Sequence, residues 1–338
     1  ANLSAWLVQY LSAKFGIATG KSLPEIMGER LTNRKLRLAY WAQAQLVAIA
    51  TDVAEIIGGA IALYILFDLP MIVGGLVTGF FSIAHLSLRE RGNEKAFEFV
   101  IILLIAATAI GFTAGLFAAP ADTHAMLNGM APRFAGKESI LLAVSIFGAT
   151  IMPHAIYAHS ALCRDRIAAR HRETTKKGML KATKWDVTMA MGIAGLVNAG
   201  ILIIGAVNLF GHNTGDSILG AHSAITNSLG VGFGALFAIG LLASGIASSS
   251  VGTYASGVIT QGLLKIKLSF LKQRMIALVP ALLVISITSN PTMALVLSQV
   301  VLSLGIPFAL IPLIYLTSNE KVMGELKNKV KTKVIGYL

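Results

Sequence analysis

Gly148-Ala149-Thr150-Ile151-Met152-Pro153-His154 stands in the middle of an apolar run over 138–163, and the reading of that run decides the fold. The run is long enough for one helical crossing of a bilayer, which needs roughly 20 mostly apolar residues. Pro153 has no N–H to offer the carbonyl of Ala149, four residues back, and its ring presses against that carbonyl. Unsatisfied backbone is costly in hydrocarbon, so a helix breaks at that depth only where the break is buried in protein or lines a cavity. Ala149 C=O is therefore free to act as a ligand.

Outward from this stretch, comparable runs lie near 39–66, 70–88, 97–119, 186–210, 232–264, 273–289 and 292–318, with fragments at 1–13 and after 333. The reading is an all-α polytopic membrane protein with eight spans and two partial ones. Composition agrees: 55% hydrophobic and 13% charged residues, against about 45–50% and 25% in soluble domains. Of the 28 Lys and Arg, all but Arg133 and Lys137 fall on alternate connections, namely 14–37, 89–95, 164–184, 265–274 and 321–333. The positive-inside rule places those connections in the cytoplasm; the membrane expected is a plasma membrane, the inner membrane if the cell is bacterial. The stretch from Gly211 to Gly232 reads as an external loop.

Several function classes drop out. The net charge of +12 sits in short loops rather than on a solvated face, so nucleic acid is not expected. Cys163 is the only cysteine, which excludes an internal disulfide and a cysteine-built metal site. Gly16-Ile17-Ala18-Thr19-Gly20-Lys21-Ser22 mimics a phosphate-binding loop, but its first glycine is one residue too close and no buried strand precedes it, so no nucleotide is expected. No H-E-x-x-H or G-x-S-x-G string occurs, and no enzyme activity or prosthetic group is expected. No n-region, h-region and cleavage site is read at the start, so no signal peptide is expected there, and Ala1-Asn2-Leu3-Ser4-Ala5-Trp6 reads as mid-helix, so a segment upstream is expected. Nothing in the loops resembles a subunit interface, and a monomer is expected.

Beside the break stands Met152, whose soft thioether favours soft or borderline metals over Mg²⁺ and Ca²⁺. A carbonyl and a thioether on a broken helix make a half-site for Mn²⁺ or Fe²⁺, the alternative being a plain proline kink with a core methionine. His154 and His159 share the span and are of the one type that titrates near neutrality; for His159, near the inner end, an interface role is the simpler reading. Asp52 and Glu55, three apart on one helix face, are intramembrane carboxylates. Such groups cost about 2.5–3.5 kcal/mol each on insertion scales, so they read as a proton relay or as a structural ion pair, with Arg274 a candidate partner. Asn198 and Gln299 either line a pathway or hydrogen-bond between helices. Ser248-Ser249-Ser250, flanked by Gly245 and Gly252, reads mostly as small-residue packing.

The string G-A-T-I-M-P-H at 148–154, followed by Ile156-Tyr157 and His159-Ser160, resembles the sixth helix of the Nramp family of proton-coupled divalent metal transporters. In the same order, Leu11 to Lys14 with Gly16 to Gly20 resembles the end of the second helix and Ala50-Thr51-Asp52-Val53-Ala54-Glu55 the third. Ala243-Ser244-Gly245 with Ser248 to Ser250 resembles the eighth, and Leu297-Ser298-Gln299-Val300 with Pro307 to Leu310 the tenth. The resemblance implies a LeuT-type fold of two inverted five-helix repeats in one transporter domain over 1–338. Residues 1–119 would hold helices 2–5, 138–318 helices 6–10, and 319–338 a cytoplasmic segment and the start of helix 11.

It further implies that Ala149 and Met152 bind the metal, that Gln299 approaches it on closure, and that Asp52, Glu55, His154 and Arg274 form a proton or salt-bridge network. The family's other half-site, a D-P-G-N string in a broken first helix, is not found in 1–338. Inverted repeats place its counterpart before residue 1, so the first helix is expected to be missing from this stretch; without its carboxylate, transport is expected to be weak or absent. The function implied is proton-coupled import of Mn²⁺ or Fe²⁺, with Cd²⁺ and Co²⁺ as further cargo. The other readings are a passive divalent metal channel and a transporter of amino acids or other organic solutes on the same fold.

Overall fold

The computed structural model describes residues 1–90, 92–113, 136–169, 175–208 and 217–337. They are helical throughout, with no β-strand among them. In chain order the helices are α1 (Asn2–Thr19), α2 (Leu23–Arg30), α3 (Arg34–Phe67), α4 (Met71–Glu90), α5 (Glu94–Thr113), α6 (Lys137–Ile151) and α7 (Pro153–Ala169). There follow α8 (Lys176–Asn208), α9 (Ile218–Leu229), α10 (Val231–Leu264), α11 (Phe270–Ile287), α12 (Pro291–Thr317), α13 (Glu320–Met323), a 3₁₀ turn at Gly324–Leu326 and α14 (Val330–Tyr337).

Among the described residues seven stretches are long and apolar enough to cross a membrane, at 34–67, 71–88, 95–113, 137–168, 176–206, 231–264 and 291–317. The protein is a multi-pass membrane protein. The eighth expected span, 273–289, is helical as α11 but is not among those seven. Residues 114–119 of the expected span 97–119 lie outside the described residues.

The expected external loop 211–232 contains a helix, α9. Its cue is local: Ser217 caps the start by accepting from the Gly220 N–H, and Gly230 at φ 99° ends it, a conformation glycine adopts without a Cβ penalty. The mimic of a phosphate loop resolves into a helix end followed by a helix start. Gly20, at φ 66°, closes α1, and Ser22 and Glu25 form a reciprocal capping box on α2.

α3 is the hub. Its most apolar 18-residue window is 83% buried, against 11% for that of α5, so α3 is wrapped by helices while α5 faces outward. At 1.5 Å per residue, its 34 residues span about 51 Å, well beyond the hydrocarbon thickness. α10, α11, α12 and α4 surround it; Ile56, Ile57 and Ala60 pack with Leu278, Ala281 and Ile285 in one core cluster. The α3–α10 contact is close because Gly245 lies against the backbone of Glu55 and Gly59, where a Cβ would collide. Outward faces carry exposed apolar side chains such as Phe80, Leu196 and Ile287, the pattern that lipid stabilises.

Candidate functional site

The run 138–163 is two helices rather than a kinked one. α6 ends at Ile151, Met152 takes φ 41° and ψ 93°, and α7 restarts at Pro153. A positive φ at a non-glycine residue costs on the order of 1–3 kcal/mol and persists only where its surroundings enforce it. The enforcement is visible. Gly148, one turn before the break, lies against the Gln299 carbonyl and the Ser303 N–H of α12, where any Cβ would overlap them. Gly305, two turns further along α12, receives the Pro153 ring and Val47 of α3. The Met152 side chain packs among Val47, Ala50 and Leu302, and its carbonyl accepts from the Ala155 N–H at 3.0 Å.

The next residues of α3 continue the site. The Thr51 hydroxyl donates to the Val47 carbonyl at 3.0 Å and meets Nδ1 of buried His154 at 3.1 Å. With its one proton on the carbonyl the Thr51 hydroxyl accepts from His154 Nδ1–H, and with that proton turned to the ring it donates to Nδ1, so the contact serves either neutral tautomer. Asp52, 1% exposed, pairs with Nη1 of fully buried Arg274 at 2.5 Å. Ser249 donates to the same carboxylate oxygen, Oδ1. Oδ2 of Asp52 and Nε and Nη2 of Arg274 have no hydrogen-bond partner among the described residues, so the pair is single-pronged rather than the bidentate fork that guanidinium and carboxylate favour. Glu55, one turn on, faces the Ser248 hydroxyl.

The structure therefore gathers Met152, His154, Asp52, Glu55 and Arg274 along α3, and brings the backbone of Gln299 against Gly148. The Gln299 side chain donates to Ser298 Oγ at 3.2 Å. Two predicted residues lie elsewhere. Asn198 is exposed and donates to Asn2 of α1 at 3.0 Å, a hydrogen bond between helices. His159 hydrogen-bonds through Nδ1 to Gln9, also on α1, at 2.8 Å. No group of three or more His, Cys, Asp or Glu side chains able to hold a metal exists among the described residues; the carbonyl and the thioether at the break are neutral groups. The sequence reading of Ser249 as small-residue packing is incomplete, and nothing in the sequence marks the contact of Thr51 with His154, because a hydroxyl in a helix most often bonds its own backbone.

A family model described as natural resistance-associated macrophage protein-like, Nramp, matches residues 1–338. The chain belongs to the Nramp family. Within it, the chain is 52% identical over 338 residues to a divalent metal cation transporter MntH of Mycobacterium tuberculosis, covering 100% of this chain and 79% of that protein. The corresponding protein of Bacillus subtilis is 42% identical over 340 residues, again covering 100% and 79%. Crystal structures of the Eremococcus coleocola manganese transporter superpose with a TM-score of 0.85 at 30% identity, covering 99% of this chain and 75% of that one. The Nramp fold seen here is of the LeuT type.

Proposed function

We propose that this Nramp protein is a secondary active transporter that carries Mn²⁺ into the cytoplasm together with protons, and that Fe²⁺, Cd²⁺ and Co²⁺ are accepted by the same donors. The observation that carries the reading is the interruption at Met152, where the helix breaks before Pro153 and the Met152 side chain packs against Leu302 of α12, three residues after the Ala149 carbonyl that Pro153 leaves without an N–H partner. Met152 and Ala149 are the protein's soft half-site, with Gln299 supplying an amide as the bundle closes. Asp52, Glu55, His154 and Arg274 are the proton side of the cycle, linked to the metal side through Val47, Ala50 and Thr51 within little more than one turn of α3. Support comes from the names of the relatives, divalent metal cation transporters and a manganese transporter. Alternating access would rock the helices carrying the break against those carrying the acid pair.

The test is calorimetric titration of Mn²⁺ and Mg²⁺ into the full-length protein and into Met152→Ala. Saturable Mn²⁺ binding that falls in the variant, with Mg²⁺ silent, is the expected result. Equal responses to both metals, unchanged by the substitution, would make Met152 a pocket wall and overturn the reading.

A further inference from the structure

Three consecutive serines on α10 leave the helix at successive steps of about 100° and so meet three different partners. Ser248 faces Glu55, Ser249 donates to Asp52, and Ser250 lies 3.0 Å from Nδ1 of His85 on α4. His85 is 5% exposed and falls inside the crossing 71–88, where an ionisable side chain is costly and its default reading is functional.

The surroundings of the imidazole serve both of its charge states. Nε2 lies 3.2 Å from the Phe97 carbonyl; a carbonyl only accepts, so Nε2 carries a proton. In the neutral ring Nδ1 then accepts the Ser250 hydroxyl. In the imidazolium Nδ1–H donates to Ser250 Oγ, whose own proton turns to the Ile246 carbonyl at 2.8 Å. Neither state strands a buried polar group, which is the condition for a proton to come and go without unfolding its site. The Phe97 ring lies parallel to the imidazole, with centroids 4.5 Å apart and planes 14° from parallel, and its negative π face favours the cationic form. From the elements packed on it, the ring meets Ser250 of α10 and Phe97 of α5, with Ser82 of its own helix close to Ser250. Among the described residues no charged side chain is paired with it. Lys95 and Glu98, beside Phe97, are exposed, and the side chains of Arg89, Glu90, Arg91 and Glu94 lie outside the described residues.

We infer that His85 is a proton acceptor in the transport cycle, with the Ser250 hydroxyl as the group that hands it the proton. The inference rests on the proton-coupled reading proposed above. As a proton reaches Ser250 Oγ, the hydroxyl's own proton passes to Nδ1. One N–H bond forms, one O–H bond replaces another, and the imidazole becomes imidazolium; the reverse step returns the proton.

The experiment uses the full-length protein in liposomes with a pH-sensitive dye inside, recording acidification on addition of Mn²⁺ for wild type, His85→Gln and Ser250→Ala. Glutamine keeps a donor for the Phe97 carbonyl and an acceptor for Ser250, so a purely bracing role survives while titration does not. In the expected result wild type acidifies, His85→Gln still binds Mn²⁺ in solution titration but its acidification is lost, and Ser250→Ala loses it as well. Acidification and pH profile of His85→Gln equal to wild type would make His85 a brace and overturn the inference. If that variant does not reach the membrane, Ser250→Ala decides alone, since normal acidification there overturns the link. Wild type that takes up Mn²⁺ without acidifying would sink the proton-coupled reading itself, and the role of His85 with it.

Discussion

Asp52 and Arg274 are 222 residues apart in sequence and are both almost fully withdrawn from solvent. Removing one partner of a buried pair leaves an uncompensated charge and costs about 3–5 kcal/mol, whereas replacing both by apolar side chains of similar size is often neutral. Arg274→Met is therefore expected to lower the thermal stability of the detergent-solubilised protein sharply. The double variant Asp52→Leu, Arg274→Met is expected to recover most of that loss while remaining unable to couple metal to protons. Melting curves and proton-flux recordings on the same preparations separate the two effects; a double variant as unstable as the single one would mean that Ser249 and the helix packing, not the charges, set the energy. At this scale the sequence was only half legible. Two carboxylates three apart in an apolar run announce themselves by their cost, but which cation answers them is a tertiary fact, and the Ser249 hydroxyl carries no signal that distinguishes it from its neighbours.

At the scale of the element, the break between α6 and α7 follows from one missing N–H. Pro153→Ala would restore a donor to the Ala149 carbonyl and remove the ring that lies against Gly305, letting the helix run through Met152 in ordinary geometry. A net intramolecular hydrogen bond is worth about 0.5–1.5 kcal/mol, now competing with the metal for the same oxygen. Mn²⁺ affinity is expected to fall by roughly tenfold, which is about 1.4 kcal/mol, with thermal stability unchanged or higher. Calorimetric titration and a melting curve on the purified variant check both halves, and full affinity would show that the carbonyl is not a ligand. This break was readable in advance because proline acts locally. The crossings were readable as well, since hydrocarbon thickness fixes their length. α9 was not, because its Ser, Thr, His and Asn residues give a turn-like composition while its caps and its packing against α10 make it helical. His85, an ionisable residue inside the span 70–88, carries a signal in the sequence too, but its partners on α5 and α10 are tertiary facts.

For the whole molecule, the first helices are joined to those beyond the break in part by α2. α2 does so through two contacts with α7: the Leu23 N–H donates to Ser160 Oγ at 2.9 Å, and Glu25 pairs with Nη1 of Arg164 at 2.7 Å. Burial pushes the Glu25 carboxyl up, but hydrogen bonds from the Ser22 N–H, Arg164 and the Ser22 hydroxyl, with the charge of Arg164, outweigh it and hold the group below its ordinary value of 4.5. A carboxyl whose folded value is depressed contributes stability that is fully present above the unfolded value and is lost as pH falls through the folded one. Glu25→Gln should thus melt below wild type at pH 7, and the gap between them should close as the pH is taken below 4.5. The pair is partly exposed, so the effect is modest and shrinks with added salt. A gap that persists unchanged into acid would assign the loss to the capping box at Ser22 rather than to the charge. If the gap closes, the α2–α7 contact is a charge-held clasp, which the proposed alternating-access cycle would carry or release at each turn; Mn²⁺ uptake by the Glu25→Gln protein then reports which, rising where release is the slow step and falling where the clasp holds the parts in register.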